Sequence, residues 1–118
     1  MAFRRGYRAE LELVEFLKRR GFYAVRIPVS GSKNIPCDVL AARGSDRRAY
    51  QVKETSKDRV YIKEEQVRRL VEFCRAFGFK PIIAVRWKGA RANKWSFFEV
   101  NEIKAIRIEK PTLMDYQD

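Results

Sequence analysis

Asp38, Gln51 and Lys53 are the residues whose types and spacing suggest chemistry in this chain. The segments CDVLAA (Cys37–Ala42) and AYQVKE (Ala49–Glu54) read as strands, and RGSDRR between them supplies turn residues. A hairpin symmetric about Gly44–Ser45 sets Asp38 opposite Gln51, since each lies the same distance from the turn centre. Lys53 then points to the same face as Gln51, because side chains alternate along a strand. With an acid in place of Gln51, the set would read as half of a site for a hard divalent cation and a phosphate. The metal lowers the pKa of a bound water, and a neighbouring lysine positions or deprotonates that water. By spacing alone this signal is weak.

A fourth candidate lies upstream. From Tyr7 onward, Tyr7, Leu11, Val14 and Leu17 recur at helical spacing, flanked by Leu13, and the run KRR before Gly21 closes the helix. Glu10 falls between Leu17 and Val14, inside the apolar stripe. A carboxylate there needs a partner, a proton or a metal to offset its desolvation. The other reading places it near solvent at the helix start, favoured by the helix dipole. Both stay open on this helix alone.

These candidates must be positioned by the remaining elements. FYAVRIPV (Phe22–Val29) reads as a first strand, followed by the polar segment SGSKNIP. A second helix covers roughly Lys63 to Gly78, with Val67, Leu70, Val71, Cys74 and Phe77 as its stripe and Phe73 widening it. That face is broader than one packing seam needs, so Leu70, Phe73 and Phe77 are candidates for a subunit contact as well as for core. PIIAVRW, WSFFEV and AIRIE read as three further strands, and KGARANK as a basic loop. The order αβββαβββ predicts one α/β domain with a mixed central sheet flanked by helices, ending in a polar, poorly ordered tail from Lys110.

Lys and Arg number 26 against 15 acids, a formal charge of +11. Such a surplus points to a polyanion, first nucleic acid and second an anionic membrane surface. The bland alternative, many solvated charges, usually brings both signs in similar number. The clusters Arg4/Arg5/Arg8, Lys33, Arg47/Arg48 and Lys57/Arg59 are expected to hold phosphates, persuasive only in sum. The chain has no histidine, which excludes a Ser-His-Asp triad and a His-ligated zinc site. Cys37 and Cys74 give no disulfide framework and read as buried structural thiols. No bilayer-length apolar run or signal-peptide pattern is seen, so a soluble intracellular protein is expected.

An acid on one strand followed by acid-x-Lys on the next is the core of a large nuclease superfamily. RRGYRAELELVEFLKRRGFYAVRIPVSGSKNIPCDVLAA, followed by AYQVK, closely resembles the archaeal Holliday junction resolvases of the Hjc/Hje type. The resemblance covers about residues 4–108 and includes YIKEEQVRRLVEFCRAFG, which is similar to the family's second helix. It implies a restriction-endonuclease-like nuclease fold and a cytoplasmic, nucleoid-associated homodimer. That dimer would make paired nicks across a four-way DNA junction with Mg²⁺, or Mn²⁺ as a substitute, and act on no small-molecule substrate.

By the same resemblance Glu10 binds or orders metal and water, Asp38 is the bridging metal ligand, and Val52 lends a backbone carbonyl. Gln51 stands at the family's second acidic ligand, Lys53 is the catalytic lysine, and Ser30 lies near the scissile phosphate. Ser32 and Lys33 lie beside Ser30, and Arg26 sits where the family favours a DNA-contacting arginine. Leu11 departs from relatives that carry a basic residue after the helix glutamate, and Gln51 departs in lacking charge. Three readings of Gln51 stay open: a working enzyme with a neutral ligand, an inactivated engineered form, or a junction binder that cuts poorly. Another restriction-type nuclease on the same fold is the remaining alternative.

Overall fold

The computed structural model describes residues 7–28, 35–92 and 94–112. The hairpin is built from β2 (Val39–Arg43) and β3 (Asp46–Thr55), joined where Gly44 takes a left-handed φ of 61° that a β-carbon would disfavour. Arg43 faces Asp46 and Val39 faces Tyr50, so the same register continued one step sets Asp38 opposite Gln51. The symmetric pairing read from the turn is therefore the observed one.

β1 (Tyr23–Arg26) pairs antiparallel with β2, β5 (Lys80–Trp87) parallel with β3, and β6 (Trp95–Glu99) antiparallel with β5. The mixed sheet runs β1-β2-β3-β5-β6. Its parallel step needs a crossover, and α2 (Glu64–Phe77) provides it. α2 ends at Gly78, whose φ of 77° and N–H bond to the Cys74 carbonyl form a left-handed cap. One element differs from the expected order. β4 (Arg59–Ile62) pairs with β7 (Ile106–Glu109) in a separate ribbon. RVYI, which lies outside the strands that the sequence pattern predicts, is a strand because Val60 and Ile62 join the core beside α2 while Arg59 and Tyr61 stay outside.

Two cores sandwich the sheet. α1 (Tyr7–Lys18) packs Leu13, Val14 and Leu17 on Val39, Ala41 and Tyr50. On the other face, Val67, Leu70, Val71 and Cys74 of α2 cover Ala49, Ile83, Val85 and Trp87. The stripe of α1 is turned from the expected one: Tyr7 and Leu11 are 41% exposed, while Ala9, Glu10, Leu13, Val14 and Leu17 face inward. Leu70 is fully buried in this core and offers no surface to a partner, which corrects its assignment to a subunit contact. Cys37 and Cys74 are buried and unbridged, and burial pushes both thiols up to about 12. No helix among the described residues is long and apolar enough to cross a membrane.

Arg48 is tied into the start of β3. Its guanidinium donates to both Asp46 carboxylate oxygens at 2.9 Å and to the Tyr50 hydroxyl at 3.1 Å, and lies 4.6 Å from the Phe22 ring centre. The hydrogen bond from Arg48 holds the Asp46 carboxyl below its ordinary value, so ionised Asp46 favours the folded state. A depressed carboxyl contributes fully above the unfolded value of about 4 and loses its contribution as pH falls through the folded one. Asp46→Asn should therefore melt below wild type at about pH 7, and the gap should narrow at about pH 2.5. Equal melting temperatures at neutral pH would contradict this.

Candidate active site

Asp38 is pinned between two strands. Its N–H donates to the Tyr50 carbonyl and its carbonyl accepts from Ile27 N–H, both at 2.8 Å. Its Oδ2 accepts the Val52 N–H at 2.7 Å, so a side chain replaces a ladder carbonyl where β2 begins. The carboxylate is thereby held level with the sheet.

Gln51 stands beside it with an unusual feature: its buried Oε1 has no hydrogen-bond partner among the described residues. Leaving such an acceptor unsatisfied costs about 1–3 kcal/mol, so an orphan of this kind calls for a partner that completes it. Pro36, Asp38, Gln51, Gln66 and Arg69 line a pocket of about 120 Å³ here. A carboxylate and an orphaned amide oxygen are both hard donors, and the pair fits Mg²⁺ better than a soft metal. Among the described residues no three His, Cys, Asp or Glu gather for a metal.

Lys53 lies one alternation further along the same face, about 7 Å from Gln51 along the strand. It lines two open clefts of about 540 and 510 Å³. Lys57 shares both clefts, Arg59 joins the first and Lys88 the second. The Lys88 N–H is fastened to the Thr55 carbonyl at 2.8 Å, which brings the basic loop after β5 to the end of β3.

Glu10 is 2% exposed, which removes the solvent-side reading of it. Its Oε1 meets Arg26 Nη1 at 3.3 Å, and the Arg26 guanidinium lies 4.5 Å from the Tyr7 ring centre. A buried carboxylate is tolerated when so paired. Glu10 comes from the α1 side of the sheet, whereas the pocket holding Asp38 and Gln51 is walled by α2.

The other expected DNA contacts divide. Lys57 and Arg59 are exposed beside Lys53, and Arg8 is exposed on α1. Arg47 sits against Gly78 at the far end of α2, and Arg48 serves the Asp46 network, so neither joins the pocket. A phosphate contact from Arg48 would compete with that network. Arg4, Arg5, Ser30, Ser32 and Lys33 lie outside the described residues. Phe77 is 63% exposed, with its ring 4.9 Å from that of Phe73, which is partly buried against the core. Gln66, Arg69 and Lys88 escaped sequence reading. Gln66 and Arg69 share one side of α2 at i, i+3 spacing, a signal that needs the helix rotation to be interpreted.

A mixed sheet with an acid just before one central strand and a Gln-x-Lys run on the next has the make-up of an α/β domain of the nuclease type. A profile described as "Archaeal holliday junction resolvase (hjc)" matches residues 1–113. Over 106 residues the chain is 39% identical to "Crossover junction endodeoxyribonuclease Hje" of Sulfolobus acidocaldarius, covering 87% of this chain and 75% of that one. It is 33% identical over 112 residues to "Crossover junction endodeoxyribonuclease Hjc" of Archaeoglobus fulgidus, covering 94% and 79%. The solved structure of Archaeoglobus fulgidus Hjc, titled "a Holliday junction resolvase from an archaeal hyperthermophile", superposes with a TM-score of 0.74 at 30% identity, covering 86% of this chain and 85% of that one. The chain belongs to the archaeal Holliday junction resolvase (Hjc) family.

Proposed function

We propose that this chain is a Mg²⁺-dependent endonuclease that resolves four-way DNA junctions by paired, symmetric nicks. The observation that carries the reading is the juxtaposition of the Asp38–Gln51 pocket with the lysine-lined cleft around Lys53. A pocket of oxygen donors suits the metal, and the adjoining ammonium groups suit the phosphates on either side of the cut. Asp38 and Gln51 would hold Mg²⁺ together with the Val52 carbonyl, while Glu10, held on the α1 side, would order water at the metal and not enter the pocket itself; Mn²⁺ would substitute. Bound there, the metal supplies positive charge against the phosphate and a more acidic water.

The protein's own groups do the rest. Lys53 orients the attacking water and takes or shares its proton, while Lys57, Arg59 and Lys88 seat the flanking backbone. Arg26 fixes the Glu10 carboxylate in orientation. The enzyme works on chromosomal DNA, in the cytoplasm at the nucleoid. Paired nicks require two sites, and the Phe73–Phe77 pair, with Phe77 exposed, is the surface through which two copies join. Phe77→Glu should convert a dimer to a monomer by light scattering while the fold persists; an unchanged mass would exclude this surface.

A junction-binding protein without turnover is the second reading, favoured by the neutral Gln51. Incubating a labelled four-way junction and a linear duplex of equal sequence with Mg²⁺ or EDTA separates the two. Nicks confined to the junction with Mg²⁺ are expected, and tight junction binding without nicks would leave only the binder. An amide carries no charge to attract the cation, so Gln51→Glu should lower the Mg²⁺ concentration for half-maximal cutting by about tenfold, roughly 1.4 kcal/mol. An unchanged midpoint would show that the amide is no handicap.

A further inference from the structure

The pocket wall opposite the strands is helical, and its arginine has no assigned role. We propose that Arg69 is a further catalytic residue, holding the non-bridging oxygens of the scissile phosphate as its bond breaks; this rests on the endonuclease reading above. Arg69 lies on the side of α2 that lines the pocket with Asp38 and Gln51 and is half-buried there. Arg68 and Arg75 of the same helix do not line this pocket. The wall itself is anchored, since Gln66 Oε1 accepts the Lys63 N–H at 3.3 Å at the helix start.

The charge balance gives this placement its chemistry. Among the residues lining the pocket, Asp38 is the one carboxylate, set against the Arg69 guanidinium. A glutamate at 51 would add a second negative charge and repel an incoming phosphodiester. With Gln51 the pocket is close to neutral and receives an anion more readily. In hydrolysis, water oxygen bonds to phosphorus, the bond from phosphorus to one sugar oxygen breaks, and a proton from the water ends on that oxygen. Negative charge gathers on the non-bridging oxygens along the way, and a planar guanidinium can donate to two of them. Arg69 transfers no proton.

Single-turnover cutting of a four-way junction at saturating protein and Mg²⁺ tests this in Arg69→Ala, Arg69→Gln and Arg69→Lys. Cutting should fall about 10²-fold in the first two, with partial recovery in the third. Junction affinity in EDTA should change less than about threefold, because one phosphate contact contributes little to the total. A phosphorothioate at the scissile position should slow wild type more than Arg69→Gln, an effect that a merely structural residue would not alter. Should Arg69→Ala fail to fold, Arg69→Gln carries the same test with the pocket filled. Cutting within about twofold of wild type, or losses of cutting and affinity that match, would overturn the proposal while leaving the enzyme reading intact. A wild type that binds junctions and never cuts would overturn both.

Discussion

Lys53→Ala should cut a four-way junction about 10²–10⁴-fold more slowly than wild type while binding it nearly as well. That range is what a positioned proton-transfer group contributes. Binding should survive because Lys57, Arg59 and Lys88 remain in the same clefts, and loss of one phosphate charge lowers the salt slope by only about one. Lys53 is half-buried on the pocket face of β3, so its removal takes out a reacting group and not a core side chain. Lys53→Arg should not recover the rate, since a guanidinium keeps its proton and its planar fork does not fit a point-charge position. Full activity in Lys53→Ala would remove this residue from the mechanism.

Asp38→Asn should lose cutting by about 10²-fold or more while melting close to wild type. The hydrogen bond and the proposed metal role of this side chain can be tested apart. Its Oδ2 accepts the Val52 N–H at 2.7 Å, a bond that an asparagine oxygen can also make. The charge is the other role, and with Gln51 neutral, Asp38 is the carboxylate on which the pocket's cation would depend. Asp38→Ala, in contrast, should also destabilise the hairpin by about 1–3 kcal/mol through the unpaired Val52 N–H. Kinetics with a Mg²⁺ titration and thermal melts distinguish the two variants. An asparagine variant that cuts normally would show that the pocket does not hold the metal.

The candidate site was legible from the sequence to the extent that it depends on local period. The turn at Gly44 and strand alternation suffice to place Asp38, Gln51 and Lys53, and the observed register agrees. Glu10 was legible as an anomaly, a carboxylate on an apolar stripe, and its burial follows from that stripe. Its partner was not legible, because Arg26 meets it only when β1 folds beside α1. The rotation of α1 is not legible from spacing, which favours Tyr7 and Leu11, because the helix buries small Ala9 and charged Glu10 in their place. Leu70 and Arg48 show the same limit. Which apolar residues of a wide stripe stay outside, and which arginines are held by Asp46, depends on tertiary packing. β4 escaped notice because four residues of alternating character acquire meaning only beside β7, far along the chain.

A supercoiled plasmid carrying an extruded inverted repeat offers the most direct measurement, since its cruciform is a four-way junction in otherwise duplex DNA. With Mg²⁺ present, paired nicks across the junction should convert the plasmid to a linear form cut at the repeat, and EDTA should prevent this. A plasmid left supercoiled, or converted only to nicked circles without regard to the repeat, would contradict junction resolution by this chain.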